Sequence, residues 1–344
     1  MGEIKFPCWD PVLLDLPGPF DLRWYGLMYV VAFLVGHYIL TRLARSGFFP
    51  LPQEKVGDLI FALIFGVILG GRMGYVIFYP KSDFFENPLA IFKVWEGGLS
   101  FHGGLIGVAL AFIWFARRNK VPILRLMDCG ALAVCPGIFC VRMANFINSE
   151  LWGRVTTDSV PWAMRFPRDD QAMSQMGLYG IGDIRTIELA IQYAFVQTQA
   201  AWQKLLNHVG PDAHASLESM RSKLNWNEVM PEVPLRHPSQ LYEGLAEGVL
   251  VGLVLWILYR KLGGKLGSGI YGAVFLLGYG VFRFLLENYR QPDDHIGARG
   301  FFFGRITMGQ MLCCAMVLFG ILMIWLSRRQ RRGPAPAQHQ GEGS

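Results

Sequence analysis

The chain has 344 residues, 52% of them hydrophobic, 14% aromatic and only 17% charged, against about 25% charged in an average soluble domain. That composition, with a mean hydropathy of +0.31, excludes a disordered chain, a coiled coil, a collagen and a secreted disulfide scaffold. A net charge of +6 points to nucleic acid only where basic residues form a patch on a soluble face, so their placement decides.

A hydrocarbon core of about 30 Å takes about 20 apolar residues in helix. Seven stretches qualify, at 24–40, 59–79, 99–116, 126–147, 241–259, 267–289 and 306–326. The fold class is therefore an all-α membrane protein with seven transmembrane helices. The start, MGEIKFPCWD, has no basic n-region and no apolar run ending at a small-residue cleavage site, so it is not read as a cleaved signal peptide. Residues 186–207 are helical in pattern but carry Glu188, Gln192, Gln197, Gln199 and Gln203. They are too polar to span and suit an amphipathic helix on an outer domain or at the interface.

Lys and Arg in short loops orient the spans. Arg42, Arg45, Lys55, Arg117, Arg118, Lys120, Arg125, Arg260, Lys261, Lys265, Arg328, Arg329, Arg331 and Arg332 fall on one side. The alternate short segments hold half as many: Lys5, Arg23, Lys81, Lys93, Arg290, Arg299 and Arg305. The first side is cytoplasmic by this rule. It follows that 1–147 carries spans one to four, 148–240 forms an outward head, 241–328 carries spans five to seven, and 329–344 is a disordered cytoplasmic tail. The six cysteines give no CxxC pair and no His/Cys metal spacing, and no cofactor or metal is expected. Cys129, Cys135, Cys140, Cys313 and Cys314 lie in apolar runs and read as small buried hydrophobes.

Arg72, Arg142 and Arg283 lie inside spans, where each costs about 2.5–3.5 kcal/mol to insert at a helix centre. His37, His102, Glu243, Glu247 and Glu287 join them. With the charge-derived orientation, the polar groups of six spans converge on the outer leaflet, while His37 and Glu247 lie deeper and His37 reads as a packing residue. Arg142 and Asn145 share a helical face, and a guanidinium beside an amide cradles phosphate oxygens. Tyr279, Arg283 and Glu287 share another face, with Arg290 a turn further. The glycines of Gly70-Gly71-Arg72-Met73-Gly74 suit close helix packing. Those of His102-Gly103-Gly104-Leu105-Ile106-Gly107 also leave open backbone beside an ionisable ring, as a close-approaching ligand would need. Residue types alone leave three readings: a phospholipid-dependent transferase, another enzyme of that class with the same arginine cradle, or a non-catalytic phospholipid transporter or scaffold.

Five motifs narrow this. Trp24-Tyr25-Gly26-Leu27-Met28-Tyr29, FHGGLIG from Phe101, RMANFINSELWGR from Arg142, RHPSQLYE from Arg236 and YGVFRFLLENYRQPD from Tyr279 together resemble the bacterial prolipoprotein diacylglyceryl transferases, over residues 1–170 and 231–328. The resemblance implies a monomeric inner-membrane enzyme, N-terminus periplasmic. It would move the diacylglyceryl group of phosphatidylglycerol onto the lipobox cysteine thiol of a prolipoprotein, release glycerol phosphate and open lipoprotein maturation. Its partners would be phosphatidylglycerol, the lipobox segment and inner-membrane lipids, with no nucleic acid. A thiol attacks as thiolate and has an ordinary pKa of about 8.5, so His102 is the candidate base. Arg142 and Arg283 would take up the charge that grows on the leaving phosphate, with Asn145 supporting it and Glu287 orienting Arg283. The motif match adds Tyr25, Tyr279 and Gly153 to the site, Gly153 on the phosphatidylglycerol. Between about 168 and 232 the chain is longer than compact members of the family. That extra segment reads as a tolerated outer-loop insertion, with a larger prolipoprotein-holding head as the alternative.

Overall fold

The computed structural model describes residues 4–7, 9–15, 21–78, 91–92, 98, 100–179, 181, 184–209, 211–291, 301–302 and 306–332. Lys81, Lys93, Arg299 and Arg305, counted above, lie outside the described residues, as does 333–344.

The protein is mostly helical. Helices α1 (Trp24–Arg45), α2 (Lys55–Phe78), α3 (Phe101–Arg118) and α4 (Ile123–Ile147) occupy the first four predicted stretches. Helices α5 (Asp170–Gln175), α6 (Ile184–Val196), α7 (Gln199–His208), α8 (Pro211–Met220) and α9 (Trp226–Val229) follow. Next come α10 (Ser239–Glu243), a π-helical stretch Gly244–Leu250, α11 (Val251–Leu262), α12 (Ile270–Leu286) and α13 (Met308–Arg332).

Among the described residues, five helices are long and apolar enough to cross a membrane: Trp24–Arg45, Lys55–Ile77, Ile123–Ile147, Ser239–Lys265 and Gly309–Arg329. The other two predicted stretches hold α3, of 18 residues, and α12, of 17. Two short antiparallel ribbons qualify the all-α expectation. One pairs β1 (Val12–Asp15) with β2 (Asp21–Arg23), and the other pairs β3 (Phe301–Phe302) with β4 (Ile306–Thr307). Helix α13 extends to Arg332 and so includes 329–332, which the sequence pattern assigns to the tail. Nothing in that run breaks a helix, and Arg and Gln are good helix formers.

The chain divides into two compact units. Unit 1 comprises Met1–Ala32, Pro136–Leu250 and Val281–Cys314; unit 2 comprises Phe33–Cys135, Val251–Gly280 and Ala315–Ser344.

In unit 2, α2 and α3 lie backbone against backbone. Gly66, Gly70 and Gly74 repeat every four residues and so form one smooth face. A methyl group on Gly66 would sit 2.7 Å from Gly107 O, and one on Gly74 would sit 2.6 Å from Gly103 Cα. Methyl groups on Gly103 and Gly107 would meet Gly70 O and Gly66 O more closely still. The glycines beside His102 are therefore filled by α2, which corrects the open-backbone expectation; only Gly104 is roomy, its nearest neighbour at 3.7 Å. Unit 2 also turns large apolar side chains outward, among them Leu34, Phe61, Phe65, Leu110, Trp256 and Leu318. A face of that kind suits lipid. His37 lies on it, exposed rather than packed. Asp128, wholly buried on α4, accepts from Gly269 N at 2.7 Å and Gly272 N at 2.9 Å. It thereby caps the start of α12, whose first amides have no partner within their own helix.

In unit 1 the extra segment is a folded body. The pattern over 186–207 is realised as α6 and α7, broken at Gln197, which adopts a φ of 48°. Met176, Leu178, Ile191, Trp202, Leu205, Leu217, Leu224 and Trp226 form a continuous core. Arg221 lies over Trp202 at 4.9 Å and donates to Tyr193 Oη at 3.0 Å. Arg23 pairs with Glu188 at 2.7 Å, and Gln192 donates to Asp10 at 3.1 Å, tying the N-terminal ribbon to this body.

Candidate functional site

The polar centre of unit 1 is built on the carboxylate of Glu243, which is 2% exposed. Arg142 Nε lies 2.8 Å from its Oε2. Arg283 Nη1 lies 2.6 Å from Oε1, and Arg290 Nη1 3.7 Å from the same oxygen. Arg283 also reaches Glu287 Oε2 at 3.0 Å, one turn along α12. Glu287 Oε1 accepts from Thr307 Oγ1 at 3.1 Å at the entry to α13. That entry comes close because residue 309 is glycine; a methyl group there would sit 2.8 Å from Glu287 Oε1.

The geometry follows from local sequence. Glu243 ends α10, and the chain then winds as a π-helix, a form concentrated at functional sites. Gly244 lets α4 approach, since a methyl group would stand 3.3 Å from Arg142 Cβ. Glu247, one turn on, is wholly buried, and neither oxygen has a hydrogen-bond partner among the described residues. Three guanidinium groups, Arg142, Arg283 and Arg290, thus gather around Glu243, and guanidinium groups are suited to bind phosphate oxygens through charge-assisted hydrogen bonds.

Asn145 lies one turn beyond Arg142 and is 2% exposed. Its Nδ2 donates to Glu150 Oε1 at 2.9 Å, and Tyr25 lies beside both. Ser149 and Leu151 flank Glu150 with φ of 53° and 57°. Two left-handed non-glycine residues in a row of three are costly and cluster at functional sites. Gln240 Nε2 donates to Glu150 O at 2.7 Å.

Gly153 sits at a tight backbone crossing. Its amide donates to His237 O at 2.8 Å, Arg154 N donates to Tyr289 O at 2.8 Å, and Gly153 pairs with Arg290 in a β-bridge. A methyl group on Gly153 would lie 2.5 Å from both His237 O and Tyr289 O. The crossing sets the backbone of Arg290. Arg236 fastens it by pairing with Asp169 and donating to Gly153 O at 3.3 Å. His237 lies between Tyr242 and Tyr289. Burial pushes its imidazole below its usual pKa, which keeps it out of the set of cations.

Unit 1 thus brings together Tyr25, Arg142, Asn145, Gly153, Arg283 and Glu287 of the expected site. His102 and Tyr279 belong to unit 2. His102 is exposed near the start of α3, and Tyr279 packs against Phe275 with ring centroids 5.7 Å apart. Arg72, grouped with the outer-leaflet cations in the sequence, is 6% exposed and spends its guanidinium on Ile91 O at 2.7 Å and Gly98 O at 3.1 Å. Cys129, Cys135 and Cys313 are buried as expected, Cys140 is half-buried, and Cys314 is exposed, on a side of α13 that its apolar run did not reveal. Glu243, Glu150 and Gln240 carried little weight when read from sequence alone. Their signal was position: Gln240 and Glu243 lie within RHPSQLYE, and Glu150 within RMANFINSELWGR.

Residues 11–326 match the prolipoprotein diacylglyceryl transferase family. The chain is 41% identical over 327 residues to the phosphatidylglycerol–prolipoprotein diacylglyceryl transferase of Yersinia pestis (strain Pestoides F), covering 95% of this chain and 96% of that protein. The protein of the same name from Yersinia pseudotuberculosis serotype O:1b (strain IP 31758) gives the same figures.

Proposed function

The chain belongs to the prolipoprotein diacylglyceryl transferase family, and from that premise we propose how its residues perform the reaction. It is a membrane transferase that moves the diacylglyceryl group of phosphatidylglycerol to prolipoprotein, the first step of lipoprotein maturation. Arg142, Arg283 and Arg290 hold the lipid phosphate, and Glu243 orients the first two. The base takes the proton of the lipobox cysteine, and the thiolate sulfur attacks the glycerol CH2 that carries the phosphate. The C–O bond breaks, a thioether forms, and glycerol phosphate leaves with one more negative charge than the phosphate carried in the lipid. Preorganised guanidinium groups stabilise that charge as it grows and need no reorganisation to do so.

His102 is the base in this reading; the support is its imidazole chemistry, its exposure and its place in the FHGG motif. Glu287 orients Arg283 through their 3.0 Å pair. Tyr25 and Asn145 line the phosphatidylglycerol site, and Gly153 shapes it by setting Arg290. Tyr279 is assigned by motif.

The remaining assignments rest on charge and length. The basic loops put Arg42, Arg117, Arg260 and Arg328 on the cytoplasmic side of a bacterial inner membrane. Counting α3 and α12 as spans gives seven, with a periplasmic N-terminus and head (148–240) and a cytoplasmic C-terminus. A monomer suffices, because one chain supplies every assigned residue.

The pairing of Arg142 and Arg283 on opposite oxygens of one buried carboxylate carries the reading. The purified protein is given phosphatidylglycerol and a lipobox peptide, and the peptide mass is measured. The wild type adds one diacylglyceryl group, whereas Arg142→Ala and Arg283→Ala insert in the membrane but add none. Ordinary turnover in either variant overturns the cradle.

A further inference from the structure

Two buried amides beside the arginine cluster are oriented the same way. Asn145 donates through Nδ2 to a Glu150 carboxylate oxygen, and Gln240 donates through Nε2 to the Glu150 carbonyl. Both acceptors lack a proton to give, so each amide is fixed with its nitrogen on Glu150 and its oxygen turned elsewhere. Asn145 Oδ1 and Gln240 Oε1 are buried and have no hydrogen-bond donor among the described residues. The two side chains are 2% and 1% exposed. A buried acceptor left unpaired is costly, and two of them tethered to one residue form a site for a ligand that donates.

Tyr25 lies beside Asn145, but neither amide oxygen accepts a hydrogen bond among the described residues, and a lipid group next to the phosphate can supply the donors. Asn145 stands three residues after Arg142 on α4, about one turn of helix. A phosphate held by Arg142 would bring one of its two ester groups one helical turn on, to Asn145, and Gln240 shares Glu150 with Asn145. A phosphate diester has no donor of its own, but a glycerol headgroup has two hydroxyls. An ammonium headgroup would also donate; the glycerol headgroup is favoured because it is the one carried by the lipid that the relatives' name gives as substrate.

We propose that Asn145 Oδ1 and Gln240 Oε1, held by Glu150, accept the headgroup hydroxyls of phosphatidylglycerol, making Gln240 a specificity-determining residue for a glycerol headgroup. The proposal rests on the phosphate reading above. A site that pairs its buried acceptors with substrate hydroxyls rejects an analogue without them strongly, because the acceptors are then desolvated and left alone.

The test keeps the phosphate constant and changes only the hydroxyls. Wild-type protein and Gln240→Met are assayed on phosphatidylglycerol and on phosphatidylpropanol, which has the same chain length and no hydroxyl. The wild type should prefer phosphatidylglycerol in kcat/KM by about 100-fold or more. Gln240→Met should shrink that ratio at least tenfold. A wild-type ratio near one overturns the proposal while leaving the phosphate cradle standing, and so does a Gln240→Met variant slowed equally on both lipids, which marks a structural role. A change confined to the KM of the lipobox peptide overturns it too, by assigning the oxygens to peptide amides. Should Gln240→Met fail to fold, the wild-type ratio decides alone. Failure of the cradle itself would show separately, as turnover surviving in Arg142→Ala.

Discussion

Arg142 and Arg283, on helices far apart in the sequence, meet on the two oxygens of Glu243, at 2.8 Å and 2.6 Å. The carboxylate does more than neutralise. It fixes the spacing of two cations that would otherwise repel, and so the width of the cradle between them. Removing it leaves both guanidinium groups buried without their shared partner. Glu243→Gln keeps the volume and loses the charge. We expect kcat/KM for phosphatidylglycerol to fall about 100-fold, the scale of a misplaced binding group, with the protein still inserted. Steady-state kinetics on the purified variant check this, and a rate within twofold of wild type would show that the arginines position themselves.

His102→Gln addresses the proton. A lipobox thiol with a pKa near the ordinary value of about 8.5 is mostly protonated at neutral pH. With His102 as base, the wild-type rate should change little between pH 7 and pH 9. The variant should be slow at pH 7 and climb as solution supplies the thiolate, while phosphatidylglycerol still binds. Parallel pH–rate profiles for the two proteins would exclude the histidine from proton transfer.

Gly153→Ala tests a packing claim with a functional readout. The added methyl group would enter the carbonyl oxygens of His237 and Tyr289 at 2.5 Å, and both are backbone atoms that cannot swing aside. The crossing must open, and Arg290 moves with it because Gly153 and Arg290 share a β-bridge. Loss of transfer of about 100-fold or more is expected, together with a lowered melting temperature. An alanine variant of normal activity and stability would show that the crossing relaxes freely.

The extra segment is expected to be separable from the chemistry. Its core runs from Ala172 to Val233, so deleting 172–230 removes all of that core except Val233. The deletion also cuts the Arg23–Glu188 and Gln192–Asp10 ties to the N-terminal ribbon, which leads directly into Tyr25. We expect transfer to a lipobox peptide to weaken several-fold and to persist. Complete loss, with the protein still inserted, would assign the head to prolipoprotein binding.

What the sequence revealed was set by what the membrane makes expensive. Arg142 and Arg283 stood out because a cation inside an apolar run needs a reason, and both do lie in one polar cluster. Arg72 stood out equally, yet it donates to the carbonyls of Ile91 and Gly98, and no pattern of residue types announces a bond to backbone. Glu243 and Gln240 sit at the polar edge of a span, where a carboxylate and an amide are ordinary; only folding places one between two arginines and the other on Glu150. Asp128 was passed over for the same reason, since its partners are amides 141 and 144 residues away. The helices were legible from apolar length. The break at Gln197, the π-turn after Glu243 and the two ribbons were not, because each depends on tertiary contacts that override local preference.

The glycine seam gives the sharpest contrast, because neighbouring glycines on α3 should behave oppositely. Gly107 faces Gly66 so closely that any side chain must push α2 away. Gly104, three residues earlier, has nothing nearer than 3.7 Å. Membrane helices gain no hydrophobic drive from meeting each other, so close packing across small residues is what holds such a pair. Gly107→Leu should therefore separate α2 from α3 and yield protein that aggregates on detergent extraction, with transfer lost. Gly104→Ala should extract and turn over like the wild type, and the alanine should favour the helix by about 1 kcal/mol over glycine. Size-exclusion profiles and peptide-mass assays of the two variants side by side decide it. A well-behaved, active Gly107→Leu protein would mean that this seam does not hold α2 and α3 together.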